Sequence, residues 1–393
     1  MAALFFLQAM AMGAWFVPLG TVLDAHGYQG IKPLAFATSA VAAFVSPLIF
    51  GAMADRHVAP VRVLRGLALA TAGAMALAAL AIGQGASAWV VLALIQLHAL
   101  CAAPTWGLAT SIVLGRLSDS QRQFGPIRAV GTFGWMVGCW VVSLLRADAS
   151  AVAGGVAAGM WVGVAVFTLR LPCEAPPASA ETITLRQRLG LDALTLLKDR
   201  NHRVVFLTAA LFSIPLAAFY PFTPTHLREL GMERTTAWMT LGQVTEIIAM
   251  VGLASVLGRW RFKWTLAAGL GFGVVRYSLC MMNGKAWVLA GLTLHGFAFT
   301  LFFITAQIYL DQRIDVAWRA RAQALFSLML GGVGNLIGYL GTGWWFRAAQ
   351  HAGAVDWPLF WGGLTAVVAV VVVYFLAVYR GREGKAGSDG VTE

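Results

Sequence analysis

Charge is what this sequence has least of. Only 11% of its 393 residues are Asp, Glu, Lys or Arg, against about 25% in an ordinary soluble domain. With 59% of the chain hydrophobic, there is too little polar side chain to cover a water-soluble fold, which excludes a soluble enzyme. Acids are scarcer than bases, 17 against 28, and Glu246 alone lies clearly in the middle of an apolar run. Cysteine is sparse: Cys101, Cys139 and Cys280 fall within apolar runs and Cys173 just beyond one, so no pair is placed to build an extracytoplasmic disulfide framework. Catalytic signatures are missing as well, with no GxSxG elbow, no HExxH and no phosphate loop ending in Gly-Lys-Ser or Gly-Lys-Thr. Neither a cofactor nor a metal is expected.

What is present, end to end, is runs of about 20 apolar residues, each able to cross a hydrocarbon core of about 30 Å as a helix with its backbone groups satisfied internally. They lie near 2–22, 33–53, 61–82, 88–114, 126–145, 151–171, 204–227, 236–257, 264–283, 286–310, 322–346 and 357–379. Strands of a membrane barrel would alternate polar and apolar residues. These runs are continuously apolar, so helices are expected. The first begins at Met1 without a basic stretch before it and reads as a retained span rather than a signal peptide.

The net charge of +11 raises the question of nucleic acid, and its placement answers it. Of the 28 Lys and Arg residues, 20 fall in the loops after even-numbered spans and in the C-terminal tail. Six (Lys32, Arg146, Arg228, Arg234, Lys285 and Arg347) fall on the other side, and Arg128 and Arg276 lie inside spans. Lys and Arg accumulate on the cytoplasmic side. Both termini are therefore expected inside, in a multi-pass protein of the cell's inner membrane, and the basic charge reports topology rather than a nucleic-acid partner.

A polar segment at 172–203, opening on PCEAPPASAE and closing on KDRNHR, separates six spans from six. The expected division is a six-helix bundle over 1–171, a cytoplasmic linker over 172–203, a second six-helix bundle over 204–379 and a cytoplasmic tail over 380–393. That is the plan of carriers built from two related halves around a midplane site. The loop GAMADRHVAPVR at 51–62 resembles the Gly-x-x-x-Asp-Arg motif of the major facilitator superfamily. Gly51, Asp55 and Arg56 are read as a structural loop, the two charges bracing neighbouring helix ends. The equivalent loop of the second half, GRWRFK at 258–263, carries no acid. The expected fold is thus an all-α membrane protein with twelve transmembrane helices, the major facilitator superfamily fold of two six-helix halves. Pro215, Pro221 and Pro224 predict a broken helix beside a central cavity in the seventh span.

Ionisable and amide groups in the spans are the functional candidates, because each costs roughly 2.5–3.5 kcal/mol to insert when charged. Glu246 lies about ten residues into the eighth span, which at 1.5 Å per residue is roughly 15 Å deep. Gln243, three residues before, shares its face. A carboxyl there can take up and release a proton, or it can serve as a buried hydrogen-bonding acid. In the fifth span Arg128, Thr132 and Trp135 follow helical spacing along one stripe, with Arg128 close enough to the end to snorkel. In the tenth, His295 and Phe299 share a face, His295 being either a ligand group or an interhelical hydrogen-bonder. Counting depth brings Trp135, Glu246 and His295 to one level, and together these residues compose a pocket suited to a flat ring with a polar edge.

At these residues the chain resembles the bacterial nucleoside:proton symporters of the major facilitator superfamily, the nucleoside permease type. The resemblance runs through GAWFVPLGTVL at 13–23, APTWGLATSIVL at 103–114, FGPIRAVGTFGWMVGCWVVSL at 124–144, LGLDALTLLKDRN at 189–201, GQVTEIIAM at 242–250 and LHGFAFTLFFITAQIYLD at 294–311. It implies that Arg128, Thr132, Trp135, Gln243 and Glu246 contact the nucleoside, that Phe299 matches a base-stacking aromatic, and that Glu246 couples transport to protons. Three departures bear on substrate. His295 stands where that permease has a tyrosine, Thr300 where it has an acid, and Pro215 and Ala218 where it has a glutamine and an asparagine. The expectation is nucleoside import by proton symport through alternating access, with a nucleoside, protons and the lipid bilayer as partners and a monomer as the working unit. A proton-coupled carrier of another polar metabolite such as a sugar, and a nontransporting membrane receptor, are the alternatives.

Overall fold

The computed structural model describes residues 1–56, 58–117, 120–173, 191–351 and 353–381, with the backbone alone for 46–56, 120–123 and 125–126. Among these the regular structure is helical, apart from a short hairpin pairing Gln350–His351 with Ala354–Val355. Ten helices are long and apolar enough to cross a bilayer: Ala2–Ala25, Pro60–Gly83, Ala88–Leu114, Ile127–Leu144, Val152–Arg170, Arg200–Glu229, Thr235–Arg259, Lys285–Arg313, Val316–Ala348 and Trp357–Val378. Two more, Lys32–Arg56 with 25 residues and Phe262–Met281 with 20, reach across about 30 Å at 1.5 Å per residue. Ordered along the chain, these are the twelve spans. They form two six-helix halves, each with its own buried core of aromatic and branched side chains.

Several helices start before the apolar run that marks them. The seventh begins at Arg200 rather than 204, and the eleventh at Val316 rather than 322. Hydropathy reports where hydrocarbon begins, whereas a helix continues wherever its backbone bonds and caps are satisfied. Asp199 supplies such a cap, its Oδ1 accepting from the His202 amide at 2.8 Å, and Asp356 does the same for the twelfth span through the Leu359 amide at 2.9 Å.

The seventh span is broken as its prolines predict, into Arg200–Leu216 and Phe219–Glu229. The first span breaks too, at Val17–Pro18, between Ala2–Phe16 and Leu19–Ala25. Their last segments cross tightly: a Cβ on Gly20 would lie 2.8 Å from the Pro221 carbonyl oxygen. Only glycine permits that approach, and so the two halves meet backbone to backbone there.

Around that crossing, on the face opposite the termini, polar groups clasp the halves together. Asp24 Oδ2 accepts from Lys32 Nζ at 2.7 Å and from the Thr225 hydroxyl at 2.7 Å. Asp148 Oδ1 accepts from the Ser143 hydroxyl at 2.7 Å and from the Thr236 amide at 2.8 Å, while Ser143 Oγ accepts from the Ala237 amide. The Trp140 indole donates to Thr240 at 3.1 Å. On the face carrying the termini, the side-chain bonds among the described residues stay within one half, as in Arg65 to Thr168 and Arg200 to the Val378 carbonyl. Among the described residues, then, side-chain hydrogen bonds fasten the halves on one face and none does so on the other.

The second span carries Gly51, Asp55 and Arg56 in its last turns. Their side chains, and hence the expected bracing contacts, lie outside the described residues. Two interruptions that the sequence does not announce are π-helical: Thr300–Ile304 in the tenth span and Leu328–Gly334 in the eleventh. Both occur at membrane depth, where such widened turns frequently accompany function.

Candidate functional site

Glycine sets the position of the eighth span. A Cβ on Gly296 would collide with the Glu246 amide nitrogen and the Gly242 carbonyl, so the eighth and tenth spans run in backbone contact, an approach that small residues allow in a bilayer. The Thr245 hydroxyl ties them further by donating to the Thr293 carbonyl at 2.5 Å. With one side of the helix consumed in this way, Gln243 and Glu246 line a cavity on another side, between the two halves.

That cavity has a volume of about 320 Å³, at the lower end of the roughly 300–1,000 Å³ typical of small-molecule sites. Arg128, Thr132 and Trp135 of the fifth span line it opposite Gln243 and Glu246, and Trp106 and Tyr220 complete its aromatic wall. The Arg128 guanidinium lies 4.6 Å over the Trp106 ring, a cation–π geometry that holds the charge in a membrane-embedded site. Arg128 and Glu246 act on each other electrostatically, yet no ion pair within 4 Å joins them among the described residues. Both therefore face the cavity with hydrogen-bonding capacity to spare. The Gln243 amide donates to the Tyr220 hydroxyl at 3.3 Å, and the buried Trp135 indole N–H has no protein partner. Trp135 also packs edge-on against Phe16 and tilts toward Tyr220, with ring centres 6.2 and 6.0 Å away.

A second cavity of about 410 Å³ shares Met12, Trp106, Trp135 and Tyr220 with the first and extends toward Thr38, Ser39, His98, Asn335 and Tyr339. The site is thus two chambers with a common aromatic partition, the first charged and the second mostly apolar.

Of the seven residues expected to bind substrate, the fold brings five together. His295 and Phe299 lie one layer behind, outside the lining of either chamber. His295 is buried, its ring stacked on Phe219 at 3.9 Å and tilted toward Phe299 at 6.2 Å. Its Nδ1 lies 2.8 Å from Arg276 Nη1. Arginine only donates, so Nδ1 is the unprotonated nitrogen and the proton sits on Nε2. Arg276, which sequence left without a role, is itself laid over Phe219 at 4.8 Å and Tyr277 at 4.6 Å. This layer backs the eighth span through Gly242, whose added Cβ would come 3.2 Å from the His295 ring. His295→Ala should therefore act first on stability. Losing the acceptor of a charged donor costs about 1.5–3 kcal/mol, visible as a lowered unfolding midpoint of the purified protein. An unchanged midpoint with weakened substrate binding would instead make His295 a ligand group.

Two aromatic residues lining the charged chamber escaped the sequence reading, Trp106 and Tyr220. Both had a signal beside them: Pro104 precedes Trp106 within its helix, and Tyr220 abuts the Pro221 that belongs to the broken span. His98 and Asn335 lie as polar residues within apolar runs of the sequence, but nothing in their spacing places them in one chamber.

Comparison with known proteins bears on this geometry. The model of the nucleoside H+ symporter family matches residues 1–384. The chain belongs to this family. Among its relatives in Escherichia coli (strain K12), the putative nucleoside transporter YegT is 32% identical, the match covering 95% of this chain and 92% of that one. The xanthosine permease is 26% identical, with 94% and 93% covered. A solved structure of the nucleoside transporter NupG superposes with a TM-score of 0.85 at 22% identity, over 96% of this chain and 98% of that one. The POT family transporter PepTSo superposes with a TM-score of 0.69 at 15% identity, over 97% of each chain. The fold is therefore that of the major facilitator superfamily. As a member of the nucleoside H+ symporter family, the protein is a transporter and not an enzyme.

Proposed function

We propose that the two chambers form the nucleoside site of a proton symporter and that import proceeds by rocking of the six-helix halves about them. The observation that supports this reading is the convergence of Arg128, Thr132 and Trp135 from one half with Gln243 and Glu246 from the other on one cavity. A ligand held there bridges both halves, as alternating access requires. Arg128, Thr132, Gln243 and the Trp135 indole N–H supply hydrogen bonds to the ribose and the base edge. Trp135, Trp106 and Tyr220 offer rings against the base face. Glu246, the only acid in the lining among the described residues, carries the coupling proton. His295 and Phe299 hold the eighth span in register from behind.

The departures from the nucleoside permease gain a physical sense in this reading. The second half offers a phenol at Tyr220, already bonded to Gln243, whereas Ala218 and Pro215 bring no amide. A phenol both donates and accepts but cannot pair in the two-pronged manner of an amide, which alters which base edge or ribose hydroxyl is preferred.

Orientation follows from the charge placement: both termini and the 172–203 linker are cytoplasmic, so the clasp at Asp24 and Asp148 closes the outer face and the halves part toward the cytoplasm. Because one chain supplies both sides of the site, a monomer suffices. The test is uptake of labelled uridine, adenosine and xanthosine into proteoliposomes under an imposed pH gradient, acid outside the binding face. Accumulation of at least one nucleoside that collapses with a protonophore is the expected result. Equal uptake with and without the gradient, or accumulation of sugars but of no nucleoside, would overturn the assignment.

A further inference from the structure

A further cavity lies away from the nucleoside chambers, on the face that carries the termini. It has a volume of about 870 Å³ and sits among the ends of the eighth, ninth, tenth and twelfth spans. Arg259, Arg261, Lys263, Arg313 and Arg380 line it, and among the described residues no Asp or Glu does. Among the described residues, none of the five cations belongs to an ion pair within 4 Å. Lys263 donates weakly to the Leu376 carbonyl at 3.4 Å, a bond that leaves its charge uncompensated. Basic residues are common on this face for topological reasons, and Arg259, Arg261, Arg313 and Arg380 are solvent-exposed, but topology alone does not gather them with Lys263 around one cleft. Five like charges around one cleft repel one another, and an anion bound among them relieves that repulsion.

The walls indicate what kind of anion. Beneath the charges the lining turns apolar, with Met250, Leu253, Leu257 and Ile308. Trp260 and Trp264, 52% and 56% exposed, flank the cleft at a span end, the level at which indoles settle among lipid headgroups. A second groove of about 600 Å³ lies on the outer flank of the same corner. It shares Arg259, Trp260, Arg261 and Trp264 with the first and continues down Ala267 and Ala268 of the ninth span. A headgroup in the cleft thus has an apolar channel along the helix beside it. Guanidinium groups match phosphate oxygens two at a time, and basic pockets between transmembrane helices suit anionic headgroups. A soluble phosphate ester would use the charges and leave the apolar floor and the flanking groove unoccupied.

We infer that the basic–aromatic corner Arg259–Trp264, with Arg313 and Arg380, is a binding site for an anionic phospholipid, its phosphate in the cleft and an acyl chain along the ninth span. This is the loop that lacks the acid of its counterpart in the first half. Among the described residues, the lining of the cleft carries bases and no acid. The site is separate from the nucleoside chambers, and its occupancy does not depend on which solute is carried.

Native mass spectrometry of the full-length purified protein tests this, with cardiolipin, phosphatidylglycerol or phosphatidylethanolamine added singly, and with inorganic phosphate as competitor. Wild-type protein is expected to retain cardiolipin and phosphatidylglycerol through activation that strips phosphatidylethanolamine, and excess phosphate is not expected to displace them. The triple variant R259Q/R261Q/K263Q should lose this selectivity, while R170Q/K198Q/R321Q, which removes three charges elsewhere on the same face, should keep it. Equal retention in the two triple variants, or equal retention of all three lipids by the wild type, overturns the site. Full displacement by phosphate overturns the lipid and leaves a free-anion site. Should the first triple variant not fold, R261Q and K263Q singly are each expected to lower cardiolipin retention relative to R170Q, and unchanged retention in both overturns the proposal.

Discussion

Glu246→Gln is expected to abolish concentrative uptake while leaving nucleoside binding and exchange measurable. The amide keeps the shape of the side chain and much of its hydrogen bonding, but it cannot carry a proton across the membrane. With one proton per nucleoside, a gradient of about 1 pH unit is worth roughly 1.4 kcal/mol and supports about tenfold accumulation. In the variant, internal substrate should level off at the external concentration, whatever the gradient. Counterflow should persist, because binding and rocking of the halves need only the cavity. The measurement is proteoliposome uptake with and without a pH gradient, beside counterflow in the same preparation. Wild-type accumulation by the variant would remove Glu246 from coupling. Since no other acid lines the chamber among the described residues, the proton would then have to travel elsewhere.

The second large effect is expected at Trp135, which lies in the lining of both chambers. A base stacked on an aromatic side chain gains about 1–3 kcal/mol, so Trp135→Ala should weaken nucleoside binding roughly 5–150-fold. Trp135→Phe should recover part of this, returning a ring without the indole N–H that has no protein partner. Equilibrium binding of labelled nucleoside to detergent-purified protein provides the readout. An unfolding midpoint taken alongside separates substrate contact from packing, because Trp135 also supports Phe16 and Tyr220. Binding by Trp135→Ala equal to that of the wild type would show that the base stacks elsewhere.

Much of this protein was readable in the chain because a bilayer imposes simple demands. A span must be apolar for about 20 residues and helical throughout, so the twelve helices emerge from hydropathy with errors only at their ends. The errors at Arg200 and Val316 arise where a charged helical turn leaves the hydrocarbon without ceasing to be helix. Rarity made the site partly readable as well: an ionisable group or an amide in a span is costly, which sets Arg128, Gln243 and Glu246 apart. The break in the seventh span was legible from its prolines. The break in the first rests on the single Pro18, which carries the same physics with a weaker signal.

Depth counting has a limit, and His295 shows it. Distance along a helix fixes how deep a residue lies, but not which way its helix is turned. His295 and Glu246 were placed at one level, yet Gly296 presses the tenth span so closely on the eighth that His295 faces Phe219 and Arg276 while Glu246 faces the cavity. Tyr220 and Trp106 entered the site for the converse reason, since no periodicity in their own spans distinguishes a wall of a cavity from a packed face. Span number, approximate span depth and the identity of the proton-bearing candidate are local properties, set by how each stretch of side chains partitions between water and hydrocarbon. Which of those side chains meet depends on helix rotation and on backbone contacts such as Gly20 against Pro221. Those are settled between spans far apart in the chain, by packing that no single span contains.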